Sequence, residues 1–168
     1  MQHRIVRKQH NSRHCFICGL GNSSGLQASF HETEGNELIA LFTPTDAHQS
    51  YPGRLHGGIA SAILDETIGR AISVGSSRQV WGVTVELHLE YRKPIPLGCQ
   101  LKVVGRVTED GSRFFGGTGE IVLPTGEIAV TAHGRYLKAP LEKIADFDPV
   151  ANDWRVVEKP DDPTVIET

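Results

Sequence analysis

From Val80 onward the hydrophobic period changes to two, most clearly in one long strand, and three more strand-like runs follow it before Lys138. Val83, Val85, Leu87, Leu89 and Tyr91 alternate with Thr84, Glu86, His88 and Glu90, the period of a strand with one face turned to a core. Three further strands are expected at about 100–108, 112–123 and 127–138. They are separated by Glu109-Asp110-Gly111 and Pro124-Thr125-Gly126, both compositions that close hairpins. Strands joined by so few residues must run antiparallel as neighbours. Upstream, Leu26-Gln27-Ala28-Ser29-Phe30 and 37–42 alternate in part about Glu34-Gly35-Asn36, which gives one more hairpin. Pro44 and Pro52-Gly53 mark an irregular stretch. Ile59 to about Val74 holds no proline and only Gly69 as a breaker, so it predicts the one long helix. The expected class is α+β, one antiparallel sheet with a single helix covering a face.

A chain of 168 residues suits one ordinary core with tails. Residues 1–25 are polar and end in the loop-forming run Gly19-Leu20-Gly21-Asn22-Ser23-Ser24-Gly25. The folded domain is expected at 26–140, and 141–168, rich in Asp, Glu and Pro, as an extended, partly disordered tail pinned at Trp154. Hydrophobic residues at 39%, charged residues at 22% and a net charge of −3 fall in the range of soluble globular proteins and leave no electrostatic footprint for nucleic acid. No apolar run reaches membrane-spanning length. Arg4, Arg7, Lys8 and Arg13 are followed by no apolar core of a signal peptide, nor do they show the amphipathic spacing of a transit piece. A cytoplasmic protein without a membrane or nucleic-acid partner is expected.

Three cysteines cannot pair completely and fit a reducing compartment. Cys15-Phe16-Ile17-Cys18-Gly19 has a suggestive spacing. A structural zinc site needs two more ligands, however, and Cys99, His10, His14 and His48 form no second pair of comparable spacing. A redox role lacks the following helix of a βαβ unit. The expectation is two small residues packed in an N-terminal turn, with no metal and no cofactor.

The chemistry is expected at the helix. Gly57 and Gly58 stand at its entry, where backbone N–H groups lack carbonyl partners and the dipole is positive; two glycines there let a carbonyl approach the backbone. Glu66 shares a face with Arg70 and Ser73 and is assigned to an i,i+4 ion pair. Asp65 instead lies with Ser61, Ile68, Gly69 and Ile72, a stripe of small and apolar residues open to another backbone, where a carboxylate suits general-base work. Gly57 and Asp65 are eight residues apart, hence roughly 12 Å on one helix. One small carbonyl cannot touch both. Two such helices packed antiparallel about a two-fold axis would bring Gly57 of one subunit beside Asp65 of the other, so an obligate homodimer is expected.

His56-Gly57-Gly58, six residues, then Asp65, followed by Gly82-Val83-Thr84-Val85 and by Tyr91-Arg92-Lys93-Pro94-Ile95-Pro96-Leu97-Gly98, resembles the hotdog-fold acyl-CoA thioesterases of the phenylacetate-degradation (PaaI-like) type, which include hydroxybenzoyl-CoA thioesterases. The resemblance implies an antiparallel sheet wrapped around one long central helix, and hydrolysis of an acyl-CoA to free acid and coenzyme A by a dimer or a dimer of dimers. It implies that the Gly57 N–H polarises the thioester carbonyl, that Asp65 acts as general base or nucleophile, and that Thr84 holds the attacking water. His56 and Gly58 shape the binding turn. Where some members carry Asn six positions before the histidine, this chain has Ser50 with Gln49 beside it, the expected substitutes in substrate binding. Arg92 and Lys93 are the first candidates for the nucleotide phosphates, with Arg54, Arg70 and Arg78 behind them, and Tyr51, Trp81 and Ile68 are candidates for the acyl pocket. Two other activities suit the same fold: an acyl-thioester hydratase or dehydratase, which needs a catalytic histidine such as His56 or His48, and a non-catalytic acyl-CoA-binding protein. A DNA reader would need a helix-turn-helix that 1–25 are too short and glycine-rich to supply.

Overall fold

Ala60, Ile63, Leu64, Thr67, Ile68 and Ala71 recur at spacings of three and four, and in the computed structural model of the chain they form the buried stripe of helix α1, Gly57–Ala71. The structure describes residues 1–76, 80–146 and 148–168. Seven strands besides the short last one surround that stripe: β1 (Gln2–Lys8), β2 (Ser29–Thr33), β3 (Leu38–Phe42), β4 (Gly82–Tyr91), β5 (Leu101–Asp110), β6 (Phe114–Val122) and β7 (Ile128–Lys138), with β8 at Val165–Glu167. Among the described residues they make one sheet in the order β4-β7-β6-β5-β3-β2-β1-β8, and each pairing is antiparallel. The α+β expectation, a sheet wrapped around one long helix, is met.

The helix lies close because the sheet's centre lacks side chains. A Cβ on Gly105 would stand 2.9 Å from the Thr67 carbonyl oxygen, and Cβ atoms on Gly117 and Gly119 would stand 2.7 and 2.9 Å from Ile68. Phe30, Leu38, Leu101, Phe115, Ile121 and Tyr136 fill the remaining space on the helix side. A smaller cluster of Ile39, Val104, Val122 and Ile166 lies apart from it. No helix among the described residues is long and apolar enough to cross a membrane.

The termini differ from the sequence expectation. Gln2–Lys8 is a strand of the sheet, paired with β2 on one side and with β8 on the other. Its ties are polar and distant: Arg7 to Glu32 at 2.6 Å, His3 to Glu37 at 2.7 Å and Lys8 to Asp162 at 2.5 Å. Local composition carries no trace of such partners. Trp154 stacks on His10 with ring centroids 4.2 Å apart, so the segment after 141 is fastened to the segment before 25, and Ile166 is buried.

Acid should loosen this strap. Burial, reinforced by Arg70, pushes the pKa of His10 down to about 3, and burial with Lys8 nearby pushes that of His31 down to about 4, from an ordinary 6.5. The unfolded chain therefore binds these protons more tightly than the folded one. The stability that depends on the neutral rings is present above 6.5 and is lost as pH falls toward 4 and then 3. Urea midpoints measured from neutrality down to about pH 4 should fall steadily, and His31→Gln should flatten the dependence.

Candidate active site

The side chain of His56 caps α1: its Nδ1 accepts the Gly58 N–H at 2.9 Å, and its carbonyl accepts Ile59 and Ala60. Gly58 is thereby satisfied. Among the described residues no hydrogen bond takes the Gly57 N–H, which leaves one oriented backbone donor at the positive end of the helix. Tyr91 stands over this end; its hydroxyl donates to the Gly57 carbonyl at 2.8 Å and meets Ser61 Oγ at 2.8 Å.

Two turns along, Asp65 is half-buried and held by two hydroxyls. Thr84 Oγ1 donates to its two carboxylate oxygens at 2.9 and 3.1 Å, and Tyr136 donates to Oδ1 at 3.1 Å. Strand alternation alone would turn Thr84 away from the face that carries Leu87 and Leu89. A bulge between Thr84 and Glu86 resets the parity, so Thr84, Leu87 and Leu89 all turn toward the helix. Tyr136 is the functional candidate that the sequence did not expose. Gly69 and Gly134 make room for its ring, where added Cβ atoms would stand 3.2 Å from Cε1 and 2.7 Å from the hydroxyl oxygen. The small residue at 69 thus admits a side chain of β7 and not another backbone. Burial first, and the Asp65 charge second, push the Tyr136 pKa above its ordinary value, so the phenol stays a donor.

Asp65, Thr84 and Tyr136 form part of the wall of an open cleft of about 1030 Å³. Trp81, Cys15 and Trp154 also line it, so both chain ends contribute to its walls. Of the expected acyl-pocket residues, Trp81 is there, Ile68 lies wholly buried in the core, and Tyr51 is 80% exposed and away from the cleft. Glu66 makes the expected pair with Arg70 at 2.8 Å. Arg70 is spent on Glu66 and on the His10 carbonyl, Arg54 is exposed, and Arg78 falls outside the described residues. Gln49 Oε1 accepts the Gly53 N–H at 2.7 Å, and Ser50 lies exposed beside it in the loop before α1. Arg92 and Lys93 follow Tyr91 and are exposed, paired with Glu90 at 3.0 Å and with Glu127. His48 is buried, with Nδ1 accepting the Thr45 N–H at 2.9 Å and Nε2 on the Ser24 carbonyl at 3.1 Å.

With this geometry in view, residues 52–130 match the family model of the thioesterase superfamily. Over that stretch the chain is similar to the thioesterase superfamily. The matched stretch takes in His56, Gly57, Asp65 and Thr84 and leaves out Tyr136. Among curated proteins, an acyl-coenzyme A thioesterase THEM4 from Xenopus laevis is 31% identical over 88 residues, 51% of this chain and 38% of that protein. Its Mus musculus namesake is 37% identical over 71 residues, 42% and 29% of the two chains. The chain thus spans well under half the length of those relatives. Among solved structures, the thioesterase superfamily protein RHA08564 superposes with a TM-score of 0.68 at 26% identity, covering 74% of this chain and 60% of its own. The BH2602 protein from Bacillus halodurans, solved with CoA, gives 0.61 at 22% identity, covering 68% and 76%.

The cap has a measurable worth. His56→Ala should lower the unfolding free energy by about 1 kcal/mol in chemical denaturation, and His56→Asn, which restores a capping acceptor, should recover most of it.

Proposed function

We propose that the protein hydrolyses an acyl-CoA thioester to the free acid and coenzyme A, with each active site assembled from two subunits. The observation that carries this is the pairing of an unclaimed Gly57 N–H at the start of α1 with a hydroxyl-held Asp65 carboxylate farther along the same helix. The first suits a developing oxyanion and the second suits activation of a nucleophile. Eight residues of helix separate them by roughly 12 Å, too far for one thioester carbonyl within a single chain.

A second copy closes that gap. β4 is the outer strand of the sheet and leaves Val83 41% and Val85 54% exposed, an edge that invites pairing. Thr84 marks the Asp65 end of this strand and Tyr91 the Gly57 end. With the bulge after Thr84 counted, a two-fold axis passing at His88 would set Thr84 of one chain opposite Tyr91 of the other. The Gly57 N–H of one subunit then polarises the carbonyl, and Asp65 of its partner either deprotonates water placed by Thr84 or attacks directly to form an anhydride. Tyr136 fixes the carboxylate in both routes. Gly58, with its N–H given to His56, contributes only the absence of a side chain. Gln49 and Ser50 border the carbonyl from the loop before α1, while Arg92 and Lys93, beside Tyr91, meet the nucleotide phosphates. The names of the curated relatives and the CoA bound to the Bacillus halodurans neighbour support this substrate class. Hydration chemistry would need a catalytic histidine; His48 has both ring nitrogens engaged, and His56 commits its Nδ1 to the helix cap.

In a thiol-release assay across short, long and aromatic acyl-CoAs, Asp65→Asn should abolish turnover of the best substrate. Tyr136→Phe should cost about 10-fold or more in kcat. Near-normal turnover by Asp65→Asn would end the proposal. Shared sites have their own readout: coexpressing Asp65→Asn with Gly57→Val should restore about a quarter of wild-type activity, because half the dimers are mixed and each carries one intact site. Sites contained within one chain would give no restoration.

A further inference from the structure

Cys15 and Cys18 lie outside the family match and have no part in the hydrolytic proposal. Yet the turn that carries them is closely built. The Gly19 N–H bonds back to the Cys15 carbonyl at 2.8 Å, and a Cβ on Gly19 would stand 2.3 Å from that same oxygen, so only glycine closes the turn. The turn aims two backbone donors at one sulfur: Ile17 N and Cys18 N lie 3.3 and 3.5 Å from Cys15 Sγ. They supply locally what the missing βαβ helix would have supplied. The two sulfurs and a Glu66 carboxylate oxygen all lie within 4.8 Å of one another. Cys18 is buried, touching Ser12 Oγ at 3.4 Å and Arg70 Nη2 at 3.1 Å, whereas Cys15 is half-buried and, like Cys18, lines the cleft that holds Asp65.

A metal ion suits this cluster poorly. It offers three donors among the described residues, and the cation's place is taken. Arg70 pairs with Glu66 at 2.8 Å, bonds the His10 carbonyl at 3.0 Å and lies over the Phe30 ring at 4.4 Å, anchored on three sides.

We propose that Cys15 and Cys18 are a thiol–disulfide exchange site opening onto the cleft, with low-molecular-weight disulfides as its co-substrate. The Cys15 thiolate attacks one sulfur of R–S–S–R; the Cys15–S–S–R bond forms as the R–S–S–R bond breaks and R–S⁻ leaves. Cys18 then loses its proton and attacks Cys15 Sγ, closing the Cys15–Cys18 disulfide and expelling the second R–S⁻. Two electrons pass to the small disulfide, and the two protons of the dithiol end on two molecules of R–SH. The order of attack follows from the surroundings. The hydrogen bond between the thiols, with the backbone donors adding to it, lowers the Cys15 pKa against the opposition of burial and Glu66; the same bond and burial raise that of Cys18.

The test uses the full chain and oxidised glutathione as probe, followed by intact mass and peptide mapping. Wild type should lose two hydrogens and yield the Cys15–Cys18 linkage with Cys99 free, and Cys99→Ser should behave alike. Cys18→Ser should accumulate one glutathionyl adduct on Cys15, and Cys15→Ser should react on the order of 10-fold more slowly. Absence of the linkage, adducts confined to Cys99, equal rates for the two single variants, or stoichiometric zinc protecting the thiols would each overturn it. None of these readouts uses acyl-CoA turnover, so their failure leaves the hydrolytic proposal standing.

Discussion

Gly105, Gly117 and Gly119 leave the middle of the sheet bare, and α1 settles onto it until the Thr67 carbonyl and the Ile68 side chain occupy the space that three Cβ atoms would have filled. That contact fixes the helix's rotation as well as its distance. With Thr67 and Ile68 facing the strands, the turn that precedes them is set. Asp65 faces β4 and β7, where Thr84 and Tyr136 receive it, and Glu66, about 100° further round, faces the N-terminal segment and its cysteines. Neighbouring acids thus serve different surroundings because the backbone beneath them allows only one seating.

The parts of this arrangement that are legible in the sequence are the local ones. Pro124-Thr125-Gly126 closes its hairpin with Gly126 at φ 82, and Asn36 takes φ 58 in the turn between β2 and β3, as turn chemistry requires. Glu66 and Arg70 pair at the spacing a helix wheel dictates. The assignment of Thr84 to the site came by resemblance, since alternation points it the other way; the bulge that corrects the parity depends on how β4 fits β7 and has no mark in β4 alone. Tyr136 left only indirect traces. Gly69 and Gly134 are gaps shaped by a ring from elsewhere, and 65 residues of sequence separate the two glycines from each other.

The ends of the chain show the limit of composition as a guide. Gln2–Lys8 carries two apolar residues among polar ones and holds its place by polar pairs with Glu32, Glu37 and Asp162, each more than twenty residues away. Polar sequence is compatible with disorder when its charges lack partners and with an ordered edge when they have them. Here both ends are recruited, and the consequence reaches the candidate site: Trp154, Cys15 and Lys8 help wall the cleft that Asp65 faces. A core of helix and central strands would leave the Asp65 carboxylate open to solvent on that side. The terminal strap narrows its surroundings and brings a dithiol to them.

The opposite edge of the sheet poses a different physical problem. β1 is covered by β8, but β4 is ten residues long, outermost in the sheet, and bears exposed valines. A strand of that length with unpaired backbone groups is an association surface unless charge or proline protects it, and no proline lies within Gly82–Tyr91. It carries two acids, Glu86 and Glu90, with His88 between them. With the axis at His88, Leu87 would face Leu89 on the helix side and Glu86 would face Glu90 on the other, each acid having its own neighbour, His88 at 2.5 Å from Glu86 and Arg92 at 3.0 Å from Glu90. The edge that most needs covering is therefore compatible with a copy of itself. The same pairing brings together the two ends of the helix that separately hold the N–H donor and the carboxylate, so one contact would meet both the structural and the chemical requirement.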